Sequence, residues 1–309
     1  MSARGWTLFA AMSLIWGIPY LLIKVALDGV SVPVLVFART AIGAIVLLPL
    51  ALRSRGNLRI VASRWKPLLA FAFFEIIAAW LLLSDAEHHL SSSLTGLLIA
   101  ASPIIAAILD RVTGGARRLG RVQLAGLAVG LTGVGVLAGP GLTGGAVWPI
   151  TELLLVATCY AIAPLIAARY LADVPSLPMT AACLGFAALI YAAPAAMHWP
   201  HAMPTTRVLV AVAALAVVCT ALAFIVFFAL IREVGAARAL VFTYINPAVA
   251  LAAGVIVLGE PLTVWNLAGL GLILAGSALA TRRPAGGGVL PSVPVDDGAQ
   301  EVPQRRGDE

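Results

Sequence analysis

The sequence predicts an all-α integral membrane protein whose ten transmembrane helices form two inverted five-helix repeats. Three observations predict it. Hydrophobic residues make up 61% of the 309 residues and charged residues only 11%, where a soluble domain carries about 25% charged residues. The apolar residues fall into ten runs, each about the 20 residues that a bilayer core requires. The chain also resembles itself when slid by 145 residues.

Divided at charges, prolines and glycine clusters, the runs lie near 6–28, 33–52, 67–86, 91–110, 121–139, 150–171, 178–198, 207–231, 237–258 and 262–281. The first run continues past the length of a cleavable signal and reads as a signal anchor. The tail from Pro284 to Glu309, rich in Gly, Pro and acids, reads as disordered. With the N-terminus inside, Arg4, Arg53, Arg64, Lys66, Arg169, Arg232, Arg238 and the other basic loop residues fall on the cytoplasmic side, and Arg207 alone falls outside. That asymmetry sets both termini in the cytoplasm of a cell (inner or plasma) membrane. It also explains the net charge of +6 without a nucleic-acid partner. Cys159, Cys183 and Cys219 sit inside apolar runs without paired spacing and read as buried thiols rather than a disulfide or metal site.

The 145-residue offset pairs Pro19 with Pro164, Lys24 with Arg169, Asp28 with Asp173, Pro33 with Pro178 and Pro49 with Pro194. After a slip of one residue, Ser102-Pro103 pairs with Asn246-Pro247; after another, "RRLGRVQLAGL" (117–127) lies on "EPLTVWNLAGL" (260–270). The expected units are therefore 1–140 and 141–283, followed by the tail 284–309. Five spans is an odd number, so the second unit starts on the opposite side from the first. Inverted repeats of this kind are an architecture of secondary transporters, whose site lies at mid-membrane between the halves. Pro103 and Pro247 should loosen their helices at matching depth. The carbonyls they free, with Ser102 and Asn246, then line a cavity; the alternative is a packing kink satisfied by neighbouring helices.

"LIWGIPYLLIKVAL" (14–27), Pro33 and Arg39, and "NPAVALAAGVIVLGEPLTVWNLAGLGLILAG" (246–276) together resemble the EamA-type transporters of the drug/metabolite transporter superfamily. The resemblance covers residues 6–283. It implies a ten-helix fold, a central cavity, alternating access, small polar metabolites as cargo and no cofactor. One departure is Arg117, which stands where the family's first repeat often has a Glu matching Glu260.

Glu75, in "AFAFFEIIAAW", lies halfway between Lys66 and Asp85 and thus near the bilayer centre. A carboxyl there must be protonated, paired or facing a wet cavity, which suits proton coupling. Its repeat equivalent falls at Cys219-Thr220. The other reading is a protonated acid bonded to a neighbouring helix. Arg39 suits a substrate carboxylate, or a structural pair with Glu75, Asp85 or Glu87. Lys24 has Asp28 at helical spacing. Trp16, Tyr20, Trp80, Tyr160, Phe224 and Tyr244 form an aromatic set at inner or middle depth, suited to stacking on substrate or to packing.

Asp85, Glu87, His88 and His89 crowd the outer corner after the third run and read as a solvated cap, pH-sensitive through the histidines, rather than a metal site. Glu260 reads as a cap on the start of the tenth span. The glycines at 126, 130, 133, 135, 269, 271 and 276 offer small-residue faces that pack the repeats together or pair two chains as a homodimer.

These features predict an exporter or exchanger of small metabolites, amino acids or related compounds foremost. Proton-coupled efflux of lipophilic drugs is the alternative. An intramembrane lipid-modifying enzyme is remote, since no HExxH, paired-aspartate motif or nucleophile elbow occurs.

Overall fold

The computed structural model describes residues 1–53, 57–112 and 120–280, and among these it is helical with no strand. The acidic tail and the Arg117 position lie outside the described residues. Among the described residues, eight helical stretches are long and apolar enough to cross a membrane: α1 Ala3–Ala26, α2 Val32–Leu52, α3 Trp65–His89, α4 Ser92–Leu109, α5 Arg121–Pro140, α6 Val147–Tyr170, α7 Ser176–Met197 and α8 Thr206–Val234. Two apolar helices are shorter, α9 Asn246–Leu258 and α10 Val264–Ala280. The ninth apolar run was expected to be one helix; it divides into a short helix Ala236–Ala239, a 3-10 turn Leu240–Tyr244 and α9.

The helix starts follow local chemistry. Ser2 accepts from Gly5 N, Ser91 from Leu94 N and Thr205 from Val208 N, each satisfying a donor that the first turn leaves free. Gly235 and Gly259 have positive φ, 81° and 67°, and stop α8 and α9 at conformations that Gly adopts without a Cβ clash. The outward surface is apolar: Ile45 is 69% exposed, Leu189 75% and Ile256 80%. With most backbone bonds held inside helices, this is a form that hydrocarbon tolerates. The chain is a multi-pass membrane protein.

Packing pairs α2 with α7, α5 with α10 and the Ser92–Ile99 part of α4 with α9, while α6 packs on α3 and α1 on α8. The α5–α10 contact needs glycine. A Cβ on Gly276 would meet the backbone of Gly130, and one on Gly126 would meet that of Ala280. Gly126, Gly130, Gly133, Gly269 and Gly276 are therefore occupied within the chain, whereas Gly135 and Gly271 face open space. A second, aromatic-rich cluster joins the first half of α1 and the last half of α8 to the 3-10 turn through Phe9, Met12, Leu230 and Phe242.

Ser2 Oγ donates to Glu233 Oε1, 2.5 Å away, and Arg64 Nη2 lies 2.9 Å from Asp173 Oδ2. One face thus carries the chain start, the α2–α3 connection and the ends of α6 and α8. Ser31 Oγ donates to His198 O on the opposite face.

Candidate functional site

Five interruptions of helix border one cavity. α1 breaks between Ile15 and Pro19, and α4 between Ile99 and Ser102. α9 begins only after the 3-10 turn. α3 contains a π-helical stretch, Phe73–Ile77, and α8 another, Val217–Leu222. A π turn holds one extra residue, displaces side chains and frees carbonyls. Here partners from other helices take two of those groups: Tyr191 Oη donates to Ile77 O at 2.7 Å, and Trp16 Nε1 to Cys219 O at 3.3 Å. The two π stretches fall at positions matched by the 145-residue offset.

These breaks enclose a cavity of about 700 Å³. The candidate translocation residues of the sequence line it, whereas Lys24, Asp85, Glu87, His88, His89 and Glu260 do not. Trp16, Tyr20, Arg39, Glu75, Trp80 and Tyr160 come from α1, α2, α3 and α6; Ser102, Pro103, Tyr244, Asn246 and Pro247 come from the broken stretches of α4 and α9. Leu240 and Val241 also line it and are 49% and 47% exposed, so it reaches the surface on the face that carries Ser2.

Arg39 is 7% exposed. Its Nε donates to Thr220 Oγ1 at 2.9 Å, and its guanidinium lies 3.7 Å from the Trp80 ring centroid. Thr220 in turn donates to Leu215 O at 2.8 Å. The ion pairs among the described residues are Arg4–Glu233 and Arg64–Asp173. Arg39 therefore holds no carboxylate, and its expected pairing with Glu75, Asp85 or Glu87 is not made. Glu75 has no hydrogen-bond or ion-pair partner among the described residues either. One cavity thus contains a guanidinium and a carboxyl, each without a countercharge.

The other polar members are held locally. Ser102 Oγ donates to Ile99 O at 2.6 Å across the α4 break. The Asn246 amide, oriented to satisfy its neighbours, donates to Ser13 O and Phe242 O, both 3.2 Å, and ties the α9 start to α1. Trp16 packs among Phe224, Phe227 and Phe242, with ring centroids 5.7, 5.1 and 5.5 Å away.

The opposite end of the cavity is closed. Glu260 was expected to cap α10, but it caps α4: Oε1 accepts from Ser92 N at 2.7 Å and Oε2 from Ser93 N at 2.9 Å. Left-handed Gly259 turns the chain there, directing Glu260 across to the free donors of α4 instead of its own next helix. Beneath it α4 and α9 touch so closely that a Cβ on Gly96 would meet Ala250. Lys24 does not pair with Asp28; its Nζ donates to Glu87 O at 2.5 Å and Leu90 O at 2.8 Å, carbonyls left free at the α3 end. The α3–α4 corner is no solvated cap: His88 and His89 are exposed, but Glu87 is 0% exposed. No group of three metal-ligating side chains occurs among the described residues.

Sequence reasoning missed Thr220 as the partner of Arg39, although the repeat had already aligned it with Glu75. It also missed Glu152, 2% exposed, whose carboxyl lies against that of Asp85. An acid inside an apolar run was the available signal, as for Glu75.

A family model for the EamA-like transporter family matches residues 3–139 and again 147–282. The uncharacterized inner membrane transporter YedA of Escherichia coli (strain K12) is 28% identical over 92% of this chain and 92% of its own. The uncharacterized transporter YvbV of Bacillus subtilis (strain 168) is 26% identical over 89% of this chain and 91% of its own. A protein of Streptantibioticus cattleyicolor named as a probable terminal-alkyne amino-acid exporter is 28% identical over 93% of this chain and 96% of its own. A solved crystal structure shares the fold, with a TM-score of 0.65 at 20% identity over 91% of this chain and 98% of that one.

Proposed function

The chain belongs to the EamA-like transporter family, a family of transporters and not of enzymes, and from that premise we propose that it exports or exchanges small zwitterionic metabolites, amino acids or related compounds foremost. The observation that carries this is the pair of unpaired opposite charges in one cavity. Arg39 offers a planar, already oriented donor fork for a carboxylate, and Glu75 offers an acceptor for an ammonium group. An α-amino acid brings both charges and leaves neither side chain unsatisfied in a low-dielectric site. The name of the 28%-identical amino-acid exporter supports the same class.

The mechanism is alternating access between two inverted five-helix units, 1–140 and 141–283. Contacts support that symmetry: α2–α7, α5–α10 and α4–α9 join equivalent helices, and α3–α6 is the counterpart of α8–α1. The basic loops support a cytoplasmic position for both termini, and in that orientation the open side of the cavity is cytoplasmic and the Glu260 end external. Glu75 is the proton-coupling carboxyl. A second reading, proton-coupled efflux of lipophilic cations, is favoured by the aromatic pair Trp16 and Phe224, which lines the same cavity as Glu75.

Counterflow in proteoliposomes tests the reading: vesicles loaded with a mixed unlabelled amino-acid pool should accumulate labelled members of it. Protein shown to be folded that stimulates no such entry, yet accelerates loss of a lipophilic cation, would move the conclusion to the second reading.

A further inference from the structure

Glu87 occupies the last turn of α3, outside the cavity. It is 0% exposed, and neither carboxyl oxygen has a hydrogen-bond partner. The nearby Ser92 hydroxyl is likewise buried without a partner. The charges around Glu87 are known from each element that packs there. Lys24 of α1 spends its donors on the main-chain carbonyls of Glu87 and Leu90. Arg39 of α2 is engaged with Thr220 and Trp80. Glu260, from the α9–α10 connection, adds a like charge and is spent on the α4 donors. Tyr20 of α1 also faces it. On its own helix Asp85 turns to Glu152, and His88 and His89 point outward.

A carboxylate enclosed this way, beside a second carboxylate and with no donor on either oxygen, is far too costly to persist. The closed corner therefore holds the neutral acid. The lid over it consists of bonds between helix ends: an ammonium on the α3 C-terminus and a carboxylate on the α4 N-terminus. When that lid parts, water reaches Glu87 and the charged form becomes affordable.

We propose that Glu87 is a proton-binding site of the outer gate, distinct from Glu75 in the cavity. It carries its proton while the 87–93 corner is closed and releases it to the outer solution when the corner opens. This rests on the alternating-access reading above. Closure from the outward-facing side then takes up one external proton, so the open-to-closed ratio rises about tenfold per pH unit within the window where Glu87 ionises when open.

The test measures the gate and not the cargo. The full chain, with its three native cysteines replaced by Ala, carries spin labels at His89→Cys and Leu262→Cys in lipid nanodiscs. Electron–electron distances are recorded across a pH series. The expected result is a longer-distance population that grows with pH and is lost in Glu87→Gln, which stays closed. Glu87→Met, which fills the site with an apolar chain of similar length, should fold and also lose the response. An undiminished pH response in either folded variant overturns the proposal. A pH-responsive gate in a protein without amino-acid counterflow would instead leave this site standing and remove the amino-acid reading of the cargo.

Discussion

Arg39 Nε donates to Thr220 Oγ1 across 2.9 Å, and Thr220 stands in the second half where Glu75 stands in the first. The symmetric position therefore holds an acid aimed at the cavity on one side and a hydroxyl anchoring the cationic group on the other. Under the proposed function, one half supplies coupling and the other orients the carboxylate receptor.

From that relationship, Arg39→Lys should not be conservative. A lysine keeps the charge but loses the fork, the Thr220 bond and the flat stacking on Trp80. Affinity for carboxylate substrates should fall about tenfold or more, about 1.4 kcal/mol, with helix content unchanged by circular dichroism. Thr220→Val should produce a smaller loss in the same direction.

Glu75→Gln should abolish substrate movement driven by a pH gradient and weaken the affinity for substrates bearing an ammonium group about tenfold, while counterflow at saturating substrate persists, since exchange needs no net proton transfer. Movement that still follows the pH gradient in Glu75→Gln would remove the coupling role and leave only the binding one.

How much of this was legible in the sequence differs from residue to residue. Glu75 and Arg39 announced themselves because a charge in a long apolar run has few tolerable environments. The breaks at Ser102-Pro103 and Asn246-Pro247 followed from proline chemistry. Glu260 was misassigned because a cap is a through-space relation, and the nearest helix start in sequence was not the one its turn reached. Glu87 looked solvated because it sits among polar neighbours at a predicted corner; its burial comes from Lys24, α4 and Glu260 closing over it, which local composition does not encode. Ser102 and Asn246 line the cavity as expected, yet their side chains are bonded to the broken helices themselves.

Glu260→Ala removes a charged acceptor from two α4 N–H groups. The closed outer end should lose about 1–2 kcal/mol, read as increased thiol labelling of a reporter cysteine at Ser93, with Glu260→Gln intermediate.

Gly276→Val places branched carbon against the Gly130 backbone, where no side chain can yield. The α5–α10 contact should weaken by about 1–3 kcal/mol, seen as a lower Tm in detergent. Gly271→Ala, facing open space, should leave Tm unchanged.

On the proposed cytoplasmic face, hydrogen bonds from Arg64 hold the Asp173 carboxyl below its ordinary range. Because the folded value is depressed, its small contribution is present above the ordinary aspartate range and is lost as pH falls through the folded value. Asp173→Asn should flatten only that acidic limb of a thermal-melt series, and by little, since the pair is exposed.

The most direct test of the central claim is competition in proteoliposome counterflow. A labelled amino acid that the wild-type protein accumulates is challenged with analogues lacking only the carboxylate or only the amine. A cavity that reads both charges through Arg39 and Glu75 predicts at least about tenfold weaker competition from each analogue. Equal competition by an analogue without its carboxylate would contradict the account.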